Sequence, residues 1–479
     1  MPRTIPFQSD DPHRTLFEPT LRDRKTDDFY QDFPPKLSKE ELDTLISNIS
    51  DFIKSSYTIK DSNIMFWMTS ALVNAVRLKD SENVAVLCKK IKQLQKSDRD
   101  QLLEAFRSVA TSGSFKDQTY AHTWVHQMYS TVFNNDLMTF VTLELTINAL
   151  IDDFGADFIQ ALTIPAEGSS YRAGTSGISS IVFALTESAK DPLKQMVTKA
   201  LASMLLKMCQ QSSAVIELLT GNTRLSEISL TVDLCGLLQG SIVNNTELTG
   251  ILCNILATVI QQIKKDPDFL SQCFTEKISK GSYAGSSNFH LVLQGLRRAA
   301  EQPHAEAKTQ FIAIMTLLNT LGNEMLTQHY EVMLLEPFKF HERKFETGAS
   351  MLFSILTMAQ QNNYNIEALS QLIEHSIEKC GIERFVQALA VNHQRNVLVS
   401  KLEQIDPDKL WAKKLVRYLN SPSALSLFEG DTHNNPPSQN PHSPHFSSSS
   451  HFFPARKKEM IHCPEEKNEK EYCSPKKQK

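Results

Sequence analysis

Glycine fills only 16 of the 479 positions, about 3% where roughly 7% is usual. Hairpin-rich sheets and nucleotide-binding α/β folds need glycine for φ > 0 turns and close backbone approach. A chain this poor in glycine is driven toward helices joined by short polar connections. The apolar residues agree. Leu42, Leu45, Ile46, Ile49, Phe52 and Ile53 recur at three- and four-residue spacing after Ser38-Lys39-Glu40-Glu41, which has the S-x-x-E form of a capping box and opens an amphipathic helix.

The same pattern predicts helices at about 63–78, 81–94, 97–109, 117–133, 137–151, 178–188, 192–209, 225–238 and 247–264. It continues at 267–278, 289–300, 305–321, 345–361, 366–380, 382–390 and 407–419. Asp191-Pro192, Asp266-Pro267 and Asp406-Pro407 each put a capping carboxylate before a proline, which at N1 gives up only an unpaired amide. Helix pairs fall at roughly 35–45 residues, near the period of HEAT and armadillo arrays. No consensus recurs at fixed spacing. The expected fold is all-α: a helical-repeat, HEAT- or armadillo-like superhelix, with an irregular multi-helix bundle as the alternative.

Composition sets the ends and the compartment. Residues 1–37 hold six prolines, too many for a continuous helix, and read as an irregular arm. Helical regions follow at 38–164 and 178–419, divided by a Gly/Ser-rich connector at 165–177. From 420 the chain turns to Ser, Pro, His, Lys and Glu and reads as a disordered tail. The charge balance, 50 Lys+Arg against 54 Asp+Glu, argues against a broad phosphate-facing surface and so against nucleic acid as partner. No secretory signal precedes the first helix, and Leu248–Ile263 is shorter than a membrane span. The eight cysteines form no CxxC pair and sit mostly in apolar helical patterns, which suits a soluble protein of a reducing compartment.

Candidate sites are few. His122 and His126 lie one turn apart, a spacing that can seat zinc. Thr123 stands where a metalloprotease needs glutamate, so two half-buried histidines beside a core tryptophan are expected instead. Asp152, Asp153 and Asp157 are similar to the magnesium-diphosphate motif of all-helical terpenoid synthases, with one residue more than the common spacing. A helix ending at Gly155, with Asp157 capping the next turn, is the simpler reading. The 165–177 loop, with Gly168, Ser169, Arg172, Gly174, Thr175 and Ser176, is the best candidate for an anion- or partner-binding loop. Cys273 and Cys380 carry no local signature of a nucleophile. No catalytic residue, metal ligand or cofactor is expected.

Near its end the chain reads Glu465-Glu466-Lys467-Asn468-Glu469 within a hydrophilic stretch. This Glu-Glu-x-x-Glu run resembles the E-block export signal of effectors delivered by the Dot/Icm type IV secretion system of intracellular bacteria. The resemblance covers about the last 30 residues. It implies that Glu465, Glu466 and Glu469 serve the export machinery, that the destination is the host cytoplasm and that the partner is a host protein. The expected function is a non-enzymatic helical module that binds a protein partner. Its alternatives are an all-helical enzyme with a site near the aspartates or the 165–177 loop, and an intracellular structural scaffold.

Overall fold

A computed structural model describes residues 58–429 apart from 60–61, 112–114, 168–173, 222–228, 243–244, 280–282, 342–343 and 406–408. The expected arm, the Ser38 capping box with its helix, and the Glu465-Glu466-x-x-Glu469 run lie outside the described residues.

The chain is all-α, and its unit is a triplet of helices. Unit 1 comprises α1 (Ile64–Leu78), α2 (Ser81–Ser97) and α3 (Arg99–Arg107). Unit 2 comprises α4 (Tyr120–Phe133), α5 (Leu137–Phe154) and α6 (Ala156–Thr163). Unit 3 holds α7 (Gly177–Ala189), α8 (Gln195–Gln211, preceded by a 3-10 turn at Pro192–Lys194) and α9 (Ser213–Thr220). Unit 4 holds α10 (Leu230–Ser241), α11 (Thr246–Ile263) and α12 (Pro267–Thr275). Unit 5 holds α13 (Asn288–Glu301), α14 (Ala305–Glu324) and α15 (Thr327–Leu335), and unit 6 holds α16 (Gly348–Gln361), α17 (Glu367–Cys380) and α18 (Ile382–Ala390). Equivalent helices begin between 51 and 62 residues apart. The expected 35–45-residue period of helix pairs is therefore corrected to a longer one of three.

Like packs on like. The first helices stack in the order α1, α4, α7, α10, α13, α16, and the second in the order α2, α5, α8, α11, α14, α17. Among the short third helices, α3, α6 and α9 stack, as do α12, α15 and α18. The first helices are buried around nearly their whole circumference. In α4 every residue from Tyr120 to Val132 except Ser130 is buried, and α7 and α13 are much the same. A helix apolar on all sides belongs inside a layered structure. The second and third helices each keep one solvent face, and one apolar core runs from Met65 to Leu419.

The connections repeat as well. Ala110 donates its amide to Gln118 O and accepts from Asp117; Ala166 does the same with Thr175 and Gly174, and Ile278 with Ser286 and Gly285. Asp117, Gly174 and Gly285 all have positive φ, the conformation such a turn requires. A longer hairpin, β1 (Phe338–His341) with β2 (Lys344–Glu346), takes this place before α16, so Phe345 lies in a strand and not in the helix expected from 345. Each turn delivers a hydroxyl to the next first helix: Thr119, Ser176, Ser287 and Thr347 accept from the amides of His122, Ser179, His290 and Ser350. Such caps satisfy amides that would otherwise be buried without partners.

Two expected boundaries move. The 165–177 segment is one of these recurring connections and divides nothing, because α7 packs against both α4 and α6 across it. The folded body also runs past 419. After α19 (Arg395–Glu403) and α20 (Leu410–Leu419) comes α21 (Pro422–Glu429), whose Ala424 is fully buried and which packs on α18 and α20.

Candidate interaction surface

The residues singled out for chemistry serve the stack instead. Asp152 pairs with Lys207 of α8, Asp153 with Arg99 of α3 at 3.4 Å, and Asp157 with Arg107 of α3 at 2.8 Å. The three carboxylates reach different cations on two neighbouring units and do not converge. Gly155, at φ 54°, ends α5 as expected. Asp157 caps nothing, since α6 has no side-chain cap. In the 165–177 loop, Gly174 supplies the positive φ. The buried Ser176 and Ser179 exchange backbone and hydroxyl bonds in a capping box. The hydroxyl of Ser176 thus takes up one of the amides at this helix start. Gly168, Ser169 and Arg172 lie outside the described residues.

His122 and His126 are both buried, with ring centroids 6.5 Å apart, and His126 Nδ1 lies 3.3 Å from Ser180 Oγ of the next unit. They are buried more fully than the half-buried pair expected. Among the described residues no group of three or more His, Cys, Asp or Glu side chains is placed to hold a metal ion. The thiols are poor nucleophiles: burial pushes Cys209, Cys253, Cys273 and Cys380 each up to about 12, and the neutral thiol does not attack.

What the sequence passes over is a surface. On α5, Met138, Val141 and Leu145 recur at three- and four-residue spacing and face solvent, while Phe140, Leu143, Ile147, Leu150 and Ile151 fill the core. On α8 and its leading turn, Leu193 is 89% and Met196 77% exposed. The two helices are held in register by the Lys207–Asp152 pair. Counting back from that pair, Leu193 falls level with Met138 and Met196 with Val141 along two helices that touch.

The other units act as an internal control. The second helices of units 1 to 5 follow the caps Asp80, Asp136, Asp191, Asn245 and His304. Two residues beyond the cap stand Glu82, Met138, Leu193, Glu247 and Glu306; five beyond stand Ala85, Val141, Met196, Gly250 and Thr309. A carboxylate in the first turn is favoured by the helix dipole. Units 2 and 3 give up that stabilisation and expose large apolar groups instead. The signal lies in the sequence but becomes visible only once the units are aligned.

Beside this patch, α2 presents Lys89, Lys92 and Lys96 at three- and four-residue spacing, all exposed, and no ion pair ties them to a described carboxylate. Gln95 Nε2 donates to Ala149 O at 3.1 Å, so Lys89 lies level with Leu143, within a turn of Leu145, and the other two lie level with the following turns. Within the surface, burial raises the pKa of the partly covered Glu144, against the effect of a hydrogen bond from Asn148. The fold and this face define a helical-repeat protein whose notable surface is a two-helix apolar patch with a basic edge.

No protein-family model matches the sequence, and no curated protein matches it. A solved chain from the crystal complex of SYS-1/POP-1 is matched over 87% of this chain and 86% of its own, at 12% identity and a TM-score of 0.22. So loose a superposition adds nothing to the fold read from the helices themselves. No helix among the described residues is long and apolar enough to cross a membrane.

Proposed function

We propose that the protein is a helical-repeat interaction module that holds a protein partner on the outer face of units 2 and 3. The observation that carries this reading is the replacement of the glutamate two residues beyond the cap by Met138 and Leu193, both exposed, in two neighbouring units. Apolar groups gathered on one face mark interaction sites, whereas single exposed ones need no explanation. A photo-crosslinker placed at Met196 should capture another polypeptide, and one at Gln361, at the far end of the stack, should not. Met138→Asp should abolish the capture. Equal capture at both positions, or none at either, refutes the reading.

The Glu465-Glu466-x-x-Glu469 run supports an addition: the module is an effector exported by a Dot/Icm-type machine, and its partner is a host protein. Deleting residues 452–479 should then abolish delivery in a translocation reporter assay and leave the melting temperature unchanged. Undiminished delivery of the shortened chain removes the export reading and leaves the binding one intact.

A further inference from the structure

We infer that the occupant of this face is an amphipathic helix of another protein, apolar on one side and lined by carboxylates along the edge that lies over α2; the inference rests on the interaction reading above. Shape argues for a helix. The exposed anchors Met138, Val141 and Leu145 run along α5, and Leu193 and Met196 lie on α8 and its leading turn, on two touching helices, and the surface of neighbouring helices carries a groove between them. A helix laid into such a groove presents side chains at i, i+3, i+4 and i+7, which is the spacing of the anchors themselves. An extended strand would need an open sheet edge, and the face is built of helices.

Charge argues for the acidic edge. The carboxylates and cations on α5 and α8 are largely paired: Asp152 with Lys207, Asp153 with Arg99 of α3, and Lys199 with Glu247 of α11. Among the described residues, the cations of this face without an ion pair lie on α2. Lys89, Lys92 and Lys96 form one exposed row, with Glu82 at the opposite end of the helix. A row of lysines is repelled by a basic partner and attracted by an acidic one, and such complementarity governs specificity and on-rate. The same row could attract an anionic membrane, but five apolar side chains give little to bury in lipid.

The test uses the full chain and a fluorescein-labelled helix of about 18 residues, with leucines along one face and glutamates flanking them, against the same peptide with lysine for glutamate. The acidic peptide should bind saturably and at least about tenfold more tightly than the basic one. Changing Lys89, Lys92 and Lys96 together to glutamate should invert that order. Met138→Asp with Leu193→Asp should weaken both peptides by about tenfold or more, with little change in melting temperature. Equal binding of the two peptides, an order unmoved by the lysine changes, or cosedimentation with phosphatidylserine vesicles that depends on the same residues would each overturn the inference. If neither peptide binds while the Met196 crosslink persists, the acidic helix is refuted and the interaction surface stands; loss of both refutes the two together.

Discussion

Replacing Trp124 by alanine should lower the unfolding free energy by about 3–5 kcal/mol, the largest single-residue loss expected in this chain. Its indole is fully buried, and Nε1 donates to Thr69 Oγ1 of α1 at 3.1 Å. Its ring meets Phe106 of α3 edge-on at 5.7 Å, and Phe106 meets Phe158 of α6 edge-on at 5.4 Å. One side chain of α4 thus anchors the aromatic column that holds units 1 and 2 together. Truncation would forfeit the burial, leave a cavity and strand the Thr69 hydroxyl. Because each unit touches only its neighbours, the damage should stay near that end. In urea, limited proteolysis should cut within units 1 and 2 of the variant before it cuts units 5 and 6. A loss below about 1 kcal/mol, or cleavage spread evenly along the chain, would contradict this packing account.

The second large effect is acid sensitivity centred on His290. The imidazole is buried and stacks on Phe338 with centroids 3.7 Å apart. Nε2 lies 3.0 Å from Met333 O and Nδ1 lies 3.0 Å from Ser287 Oγ. The neutral ring satisfies both: Nε2–H donates to the carbonyl, and Nδ1 accepts from the hydroxyl. Burial pushes its pKa down from 6.5 to about 3, against the opposing pull of the Met333 carbonyl. Between those limits the unfolded chain binds a proton that the native chain refuses. Stability from this residue is therefore complete above about pH 6.5 and falls as the pH drops toward 3, by about 2 kcal/mol at pH 5. His290→Gln, which keeps a donor near Met333, should flatten the stability profile between pH 7 and 5 measured by urea unfolding. His393, whose pKa burial also lowers, leaves a residual slope. An unchanged slope in the variant would place the acid sensitivity elsewhere.

Helical class was legible in the sequence because glycine scarcity and apolar stripes both reflect local physics. The period was not, and the third helices explain why. Ala156–Thr163, Ser213–Thr220 and Thr327–Leu335 are only eight or nine residues long. They follow their second helices after a single Gly155, a single Ser212 and the pair Met325-Leu326. Isolated helices that short are marginal, and tertiary contacts hold them, so local patterns pass over them. With half the third helices unseen, triplets read as pairs. The 165–177 loop stood out for its glycines, yet Gly174 does there what Asp117 and Gly285 do in the other connections, and glycine content alone does not announce that equivalence. Asp152, Asp153 and Asp157 were visible as a cluster along the chain, but the turn at Gly155 sends them to separate cations. The face of units 2 and 3 was hidden differently. The stretch 137–151 is so apolar that Met138, Val141 and Leu145 look like more core, and only the packing of Phe140, Leu143 and Ile147 shows which side is inward.

Amide hydrogen exchange on the full chain tests the layered stack most directly. Slow exchange reports the opening free energy of each segment. The central amides of α4, α7, α10, α13 and α16 should exchange more slowly than those of α5, α8, α11 and α14, unit by unit, since the first helices are enclosed and the second keep a wet face. First helices that exchange as fast as their neighbours, or faster, would contradict the arrangement on which the outer face depends.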